Sequence, residues 1–158
     1  MKAVLFAVDA HTPGLGVDES LVELGQLASS AGATVVDELV QRREAPDAST
    51  YLGTGKVLEL AELMEDLDAE LAICDDELTP AQAGNLSERL DRRVVDRTQL
   101  ILDIFASRAQ SREGKVQVEL AQLRYLLPRL AGQGLVLSRL GGGIGTRGPG
   151  ETKLESDR

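Results

Sequence analysis

Short apolar runs recur along the first two thirds of this chain, each followed by a stretch with helical periodicity, and that alternation narrows the fold more than any other feature. Ala3–Val8 is continuously apolar, Thr34–Val40 is rich in β-branched residues, Leu71–Cys74 is apolar throughout, and Val94-Val95 makes a fourth short run. Between them lie helical patterns. Asp18 is placed to cap a helix carrying Leu21, Leu24, Leu27 and Ala28, and Lys56–Leu67 repeats apolar residues at Val57, Leu60, Ala61, Met64 and Leu67, the spacing of one helical face. Thr79-Pro-Ala-Gln82 holds a capping residue, a proline at the first helical position and a glutamine where a capping box needs it, which opens a helix to about Leu90. Asp96-Arg-Thr-Gln99 is a weaker box for a helix over Thr98–Ala109. Strands this short and apolar, separated by helices, predict an α/β fold: a small parallel four-stranded sheet flanked by helices, over residues 1–109.

From Arg112 the pattern changes. Val116, Leu120, Leu123, Leu127 and Leu130 are spaced four, three, four and three, a heptad seam. Residues 110–158 therefore read as a second unit, a helical hairpin resembling an antiparallel coiled coil. Pro128 is expected to kink or end its first helix, because the ring clashes with the carbonyl four residues back. A glycine-rich loop is expected over 132–150, where eight of the chain's sixteen glycines fall, since glycine gives up backbone entropy in a helix and adds no side chain to a core. Glu151-Thr-Lys-Leu-Glu155 after Pro149 reads as the start of a returning helix, truncated after about two turns, with the glycine loop at the hairpin tip.

Charge is polarised along the chain. Residues 1–91 carry 5 Lys/Arg against 19 Asp/Glu, whereas residues 92–158 carry 12 against 7, within a total of −9. Phosphates are repelled by the first half, so a nucleic-acid contact is expected on the second. The candidate RNA contacts are Arg139, Gly141, Gly142, Gly143, Ile144, Gly145, Thr146, Arg147 and Gly148 in the loop, with Lys115, Arg124 and Arg129 on the preceding helix. Arginines supply charge, and glycines let the backbone come close.

Other signals are weaker. Gly143-Ile-Gly-Thr-Arg-Gly148 spells G-x-G-x-x-G, but the dinucleotide fingerprint follows a strand, and here a long helix precedes it. A Walker loop is also missing: of the Gly-Lys pairs, Gly55-Lys56 is followed by Val57 and Gly114-Lys115 by Val116, where a hydroxyl must hold magnesium. His11 stands beside Pro13-Gly14 with no serine or cysteine motif around it and reads as a turn residue. The lone Cys74 excludes an internal disulfide and reads as core. Asp75-Asp76-Glu77 follows the third strand at its carboxyl end, a position open to a magnesium site but read more simply as a solvated turn or helix end. No apolar run approaches the roughly 20 residues of a membrane span and Lys2–Val8 is too short for a signal peptide, so a soluble, cytoplasmic protein is expected.

Three long segments resemble the N-terminal region of HflX-type ribosome-associated GTPases: Asp96–Ala106, Glu113–Arg124 and Gly141–Glu155. Tyr51-Leu-Gly-Thr-Gly-Lys-Val57 and Leu78-Thr-Pro-Ala-Gln82 fit the same family. The resemblance implies an α/β subdomain, a hairpin whose glycine-rich tip reaches ribosomal RNA of the large subunit near the peptidyl-transferase centre, and a downstream GTPase domain that acts in cis. It also implies a role in ribosome splitting or recycling under stress, with GTP and magnesium bound by the full-length protein rather than by this region. The expected function is an RNA-facing docking module, monomeric and without catalytic or metal-binding residues of its own. The rival is a nucleotide-binding α/β domain using the crevice at the strand carboxyl ends. A third possibility is an adaptor that dimerises through the seam.

Overall fold

In the computed structural model, residues 1–10 and 16–140 are described, the last eleven of these by backbone alone. Four strands, β1 (Lys2–Asp9), β2 (Thr34–Arg42), β3 (Leu71–Cys74) and β4 (Arg93–Asp96), form a single sheet in the order β2-β1-β3-β4, and every neighbouring pair is parallel. Parallel neighbours need a crossover between them. These are α1 (Val17–Ser30), α2 (Thr54–Leu67) and α3 (Pro80–Leu90), followed by α4 (Arg97–Arg108) and α5 (Arg112–Leu140). The four-stranded parallel sheet flanked by helices that the sequence predicts is the fold.

Alternation along each strand builds two cores. Val4, Phe6 and Val8 of β1, with Ala72, Cys74 and Val94, pack with Leu60 and Met64 of α2 and Leu86 of α3. Ala3, Leu5 and Ala7, with Leu71, Ile73 and Val95, pack with Leu21 and Leu24 of α1 and Leu100 of α4. Successive strand residues point to opposite faces, so a strand buried on both sides must be apolar at every position. That is why these runs show no polar alternation. Cys74 is fully buried, as expected of a core residue, and burial pushes its thiol pKa up, which keeps it protonated.

The starts of α3 and α4 follow local chemistry. Thr79 Oγ1 accepts from the Gln82 amide at 3.1 Å and Gln82 Oε1 accepts from the Thr79 amide at 3.0 Å, completing the capping box. Asp96 Oδ1 accepts from the Gln99 amide at 3.0 Å. The caps of α1 and α2 are the glycines Gly16 and Gly53, and neither helix has a side-chain cap bond. Asp18 lies in the first turn of α1, where its charge favours the helix dipole instead of capping it.

The last helix corrects the expected start of the glycine loop and excludes an end at Pro128, one of the two outcomes expected there. It neither ends at Pro128 nor gives way to a loop at Gly132, but continues to Leu140 through Pro128, Gly132 and Gly134. A proline and two glycines cost about 5 kcal/mol of helix propensity together. Once a long helix is nucleated, each further residue adds a hydrogen bond at little nucleation cost, so isolated breakers can be carried through. The start of the glycine-rich segment therefore moves to residue 141, and residues 141–158 lie outside the described residues, as does the returning helix expected from Glu151.

Candidate functional site

Ligands of open parallel sheets bind beyond the strand carboxyl ends, where the strand order reverses. In this sheet that place is the gap between β1 and β3, and it is filled by the protein itself. Tyr51, in the connection from β2 to α2, is fully buried there, and its ring meets Phe6 edge-on at 5.8 Å. Its hydroxyl accepts from the Val8 amide at 3.0 Å and donates to Asp76 Oδ2 at 2.5 Å. Tyr51 adopts a φ of 63°, a conformation costly for a bulky residue and stable only when its surroundings over-determine it. They do. Asp47 and Tyr51 exchange both backbone bonds at 2.9 Å, Asp47 Oδ1 accepts from the Ser49 and Thr50 amides, and Gln82 and Asn85 of α3 donate to the carbonyls of Asp47 and Ser49.

The three acids beyond β3 are divided among separate tasks. Asp75 accepts from Ser20 at 2.7 Å and from Arg97 Nη2 at 2.6 Å, and Arg97 also reaches Glu23 at 2.6 Å. Asp76 serves Tyr51. Glu77 is exposed. No group of three acidic, histidine or cysteine side chains able to hold a metal occurs among the described residues, in keeping with acids that already hold internal partners. His11 lies outside the described residues.

Polar groups converge instead where α5 meets the body, against α3, α4 and the edge strand β4. Asp96, the last residue of β4, accepts at Oδ2 from the Leu78 amide at 2.9 Å and from the Tyr125 hydroxyl. Arg129 Nη2 donates to the Leu78 carbonyl at 2.5 Å and Nη1 to the Tyr125 carbonyl at 2.8 Å, and the guanidinium stacks 3.8 Å from the Tyr125 ring centroid. Asp103 Oδ1 accepts from Gln122 Nε2 at 2.9 Å. Burial raises the Tyr125 phenol, and the adjacent Asp96 charge raises it further, so it stays a donor. Burial likewise pushes Asp103 up to about 7, although the Arg93 charge and the Gln122 bond both pull it down.

The candidate RNA contacts separate accordingly. Lys115 and Arg124 are exposed on α5. Arg129, read from sequence as a phosphate contact, is buried and turns Nη1 and Nη2 to the carbonyls of Tyr125 and Leu78, so it does not belong with them. Arg139 lies on the described backbone of α5, and Gly141, Gly142, Gly143, Ile144, Gly145, Thr146, Arg147 and Gly148 lie beyond it, outside the described residues. Among the heptad positions Val116, Leu120 and Leu127 are exposed and Leu123 is half-buried. Sequence reasoning missed the ties of Gln122, Tyr125 and Arg129. Their spacing of three and four residues, the signature of a shared helical face, is the signal that could have found them.

This build, a parallel α/β body leading into one long helix, is similar to that of solved GTP-binding proteins. Residues 18–106 match the family described as GTP-binding GTPase N-terminal, and residues 108–158 the GTP-binding GTPase Middle Region. The chain belongs to the HflX GTPase family, as a piece of its N-terminal region. It is 62% identical over 141 residues to GTPase HflX of Alkalihalophilus pseudofirmus, covering 89% of this chain and 33% of that protein. With GTPase HflX of Caldanaerobacter subterraneus it shares 57% identity over 157 residues, 99% of this chain and 36% of the relative. With GTPase HflX of Escherichia coli it shares 49% over 140 residues, 89% and 33%. The chain thus spans about a third of the length of these curated relatives. Among solved structures it is similar to a GTP-binding protein from Sulfolobus solfataricus in complex with GDP, with a TM-score of 0.63 at 26% identity, covering 86% of this chain and 40% of that one. A mutation variant of the protein SsGBP gives a TM-score of 0.67 at 26% identity over 85% of this chain and 42% of that one.

Proposed function

We propose that this region docks an HflX-type GTPase on the RNA of the large ribosomal subunit, near the peptidyl-transferase centre. Contacts come from Arg139, Arg147 and the glycine backbone of residues 141–148, assisted by Lys115 and Arg124. The observation that carries this reading is the course of α5: it is anchored to the body by residues 122–129 and then runs on to Leu140, at the threshold of the glycine segment. A helix rises about 1.5 Å per residue, so the fifteen residues after Tyr125 carry the chain about 22 Å further along the helix axis. This carries the cationic segment away from the anchoring residues, and the first 91 residues hold most of the chain's acids. GTP and magnesium then belong to the remainder of the longer relatives, and docking serves ribosome splitting or recycling under GTP control.

Nucleotide binding in the sheet crevice finds less support, because Tyr51 and Asp76 occupy that place. Two titrations test the proposal. Large subunits should bind this chain with a strong salt dependence, and Arg147→Glu should weaken binding and lower the log–log salt slope by roughly 0.7 to 0.9 for each phosphate no longer neutralised. A mutant that matches the parent in affinity and slope would remove the glycine segment as the contact. Micromolar GTP affinity of this chain would favour the crevice instead.

A further inference from the structure

We propose that Gln122, Tyr125 and Arg129 are positioning residues that set the direction in which α5 presents the glycine segment; this rests on the docking reading above. The two sides of α5 differ in what they offer. Gln122, Tyr125 and Arg129 fall on one face, while Val116, Leu120, Leu123 and Leu127 centre on a face about 150° around the axis at 100° per residue. The polar face is the attached one: Gln122 and Arg129 are buried against the body, whereas Leu127 is 62% exposed. The apolar stripe therefore does not hold this helix to the sheet.

Attachment through polar ties has a consequence that apolar packing lacks. Hydrophobic attraction is non-directional and permits small slides and tilts, whereas hydrogen bonds weaken steeply with misalignment. The ties run from Gln122 to Asp103 on α4, from Tyr125 to Asp96 at the end of β4, and from Arg129 to the Leu78 carbonyl before α3. Their attachment points lie on α4, at the end of β4 and in the connection before α3, spread over about 10 Å of helix axis. Such an arrangement fixes both axial position and tilt. Leverage makes the tilt matter, because a rotation of about 10° about Tyr125 shifts a point about 22 Å along the helix by about 4 Å. A shift of that size exceeds the reach of a hydrogen bond to a phosphate oxygen.

Asp96 is the hub. Its Oδ2 serves the Leu78 amide and the Tyr125 hydroxyl together, and Arg129 binds the Leu78 carbonyl of the same residue. The corner before α3, the end of β4 and α5 are thus tied into one polar joint. If its loss leaves the aligned orientation at about one tenth of the population, apparent RNA affinity falls about tenfold, since only that fraction binds productively. The salt slope should stay as in the parent, because every phosphate-facing cation is still in place.

The test measures orientation and binding separately. Spin labels at Val22→Cys on α1 and Ser138→Cys near the end of α5 report the helix direction by electron–electron distance measurement, and the native Cys74 is buried away from the label. The parent should give one narrow distance distribution. Tyr125→Phe should broaden it, and Tyr125→Phe combined with Gln122→Leu should broaden it further, with circular dichroism unchanged. Binding of the same variants to large ribosomal subunits should weaken at constant salt slope. An unbroadened distribution in both variants overturns the proposal, and so does broadening with unaltered affinity while Arg147→Glu still weakens binding. Should the double variant unfold, Tyr125→Phe alone decides. Failure of Arg147→Glu to affect binding would instead strike the docking reading and leave the distance result standing.

Discussion

The crevice of the sheet and the far side of α5 make opposite use of their residues. At the crevice, a site that parallel sheets commonly offer to ligands, Tyr51, Asp75, Asp76 and Arg97 are satisfied by partners within the chain. Along α5, Lys115, Arg124 and the apolar residues Val116, Leu120 and Leu127 are exposed to solvent. Internal satisfaction makes the first region a source of rigidity. The second leaves its charged and apolar side chains open to solvent, and on the proposed docking the working surface lies on the appended helix rather than at the sheet.

The sharpest way to break the comparison is to empty the crevice. Tyr51→Ala removes a fully buried ring and leaves the Val8 amide without its acceptor, so it should destabilise the chain by about 3–5 kcal/mol in denaturant unfolding. A loss under about 1 kcal/mol would mean that the tyrosine merely lies over an adaptable gap. Next in size is the buried joint behind α5. Because burial raises Asp103 to about 7, its contribution to stability is fully present below the ordinary aspartate pKa near 4 and is lost as pH rises through 7. Asp103→Asn should therefore remove a fall in stability between about pH 4 and 7 that amounts to at most about 4 kcal/mol, and Gln122 can still donate to the amide oxygen. Superimposable pH–stability curves for mutant and parent would show that Asp103 ionises normally.

Smaller effects sharpen the contrast. Thr79→Ala deletes one half of the capping box at α3 and should cost about 1 kcal/mol, read from the unfolding midpoint. On the outer face of α5, Leu127→Lys should change stability by less than about 0.5 kcal/mol, as expected of an exposed position away from caps and ion pairs. A large fall in stability there would place the apolar stripe against the body.

What could be read from sequence was what depends on near neighbours. The two-sided burial of the strands shows in uninterrupted apolar runs such as Leu71–Cys74, and the capping box shows in the three-residue spacing of Thr79 and Gln82. The role of Tyr51 is hidden, because its left-handed backbone is imposed by α3 and the Asp47 turn rather than by its own preference. The passage of α5 through Pro128, Gly132 and Gly134 is hidden for a related reason: propensity is a weak prior against the cooperative extension of a helix already anchored upstream. Arg129 misleads because a positive charge shows no face. Only its spacing from Gln122 and Tyr125 shows that it turns inward with them.

Chemical-shift mapping of the isotope-labelled chain with a large-subunit RNA fragment tests most directly the claim that the working surface lies on the appended helix. Perturbations should concentrate at Arg139 and in residues 141–148, with smaller ones at Lys115 and Arg124, while Val8, Asp9, Tyr51, Asp75 and Asp76 keep their positions. Shifts concentrated at those crevice residues, with residues 139–148 unmoved, would contradict it.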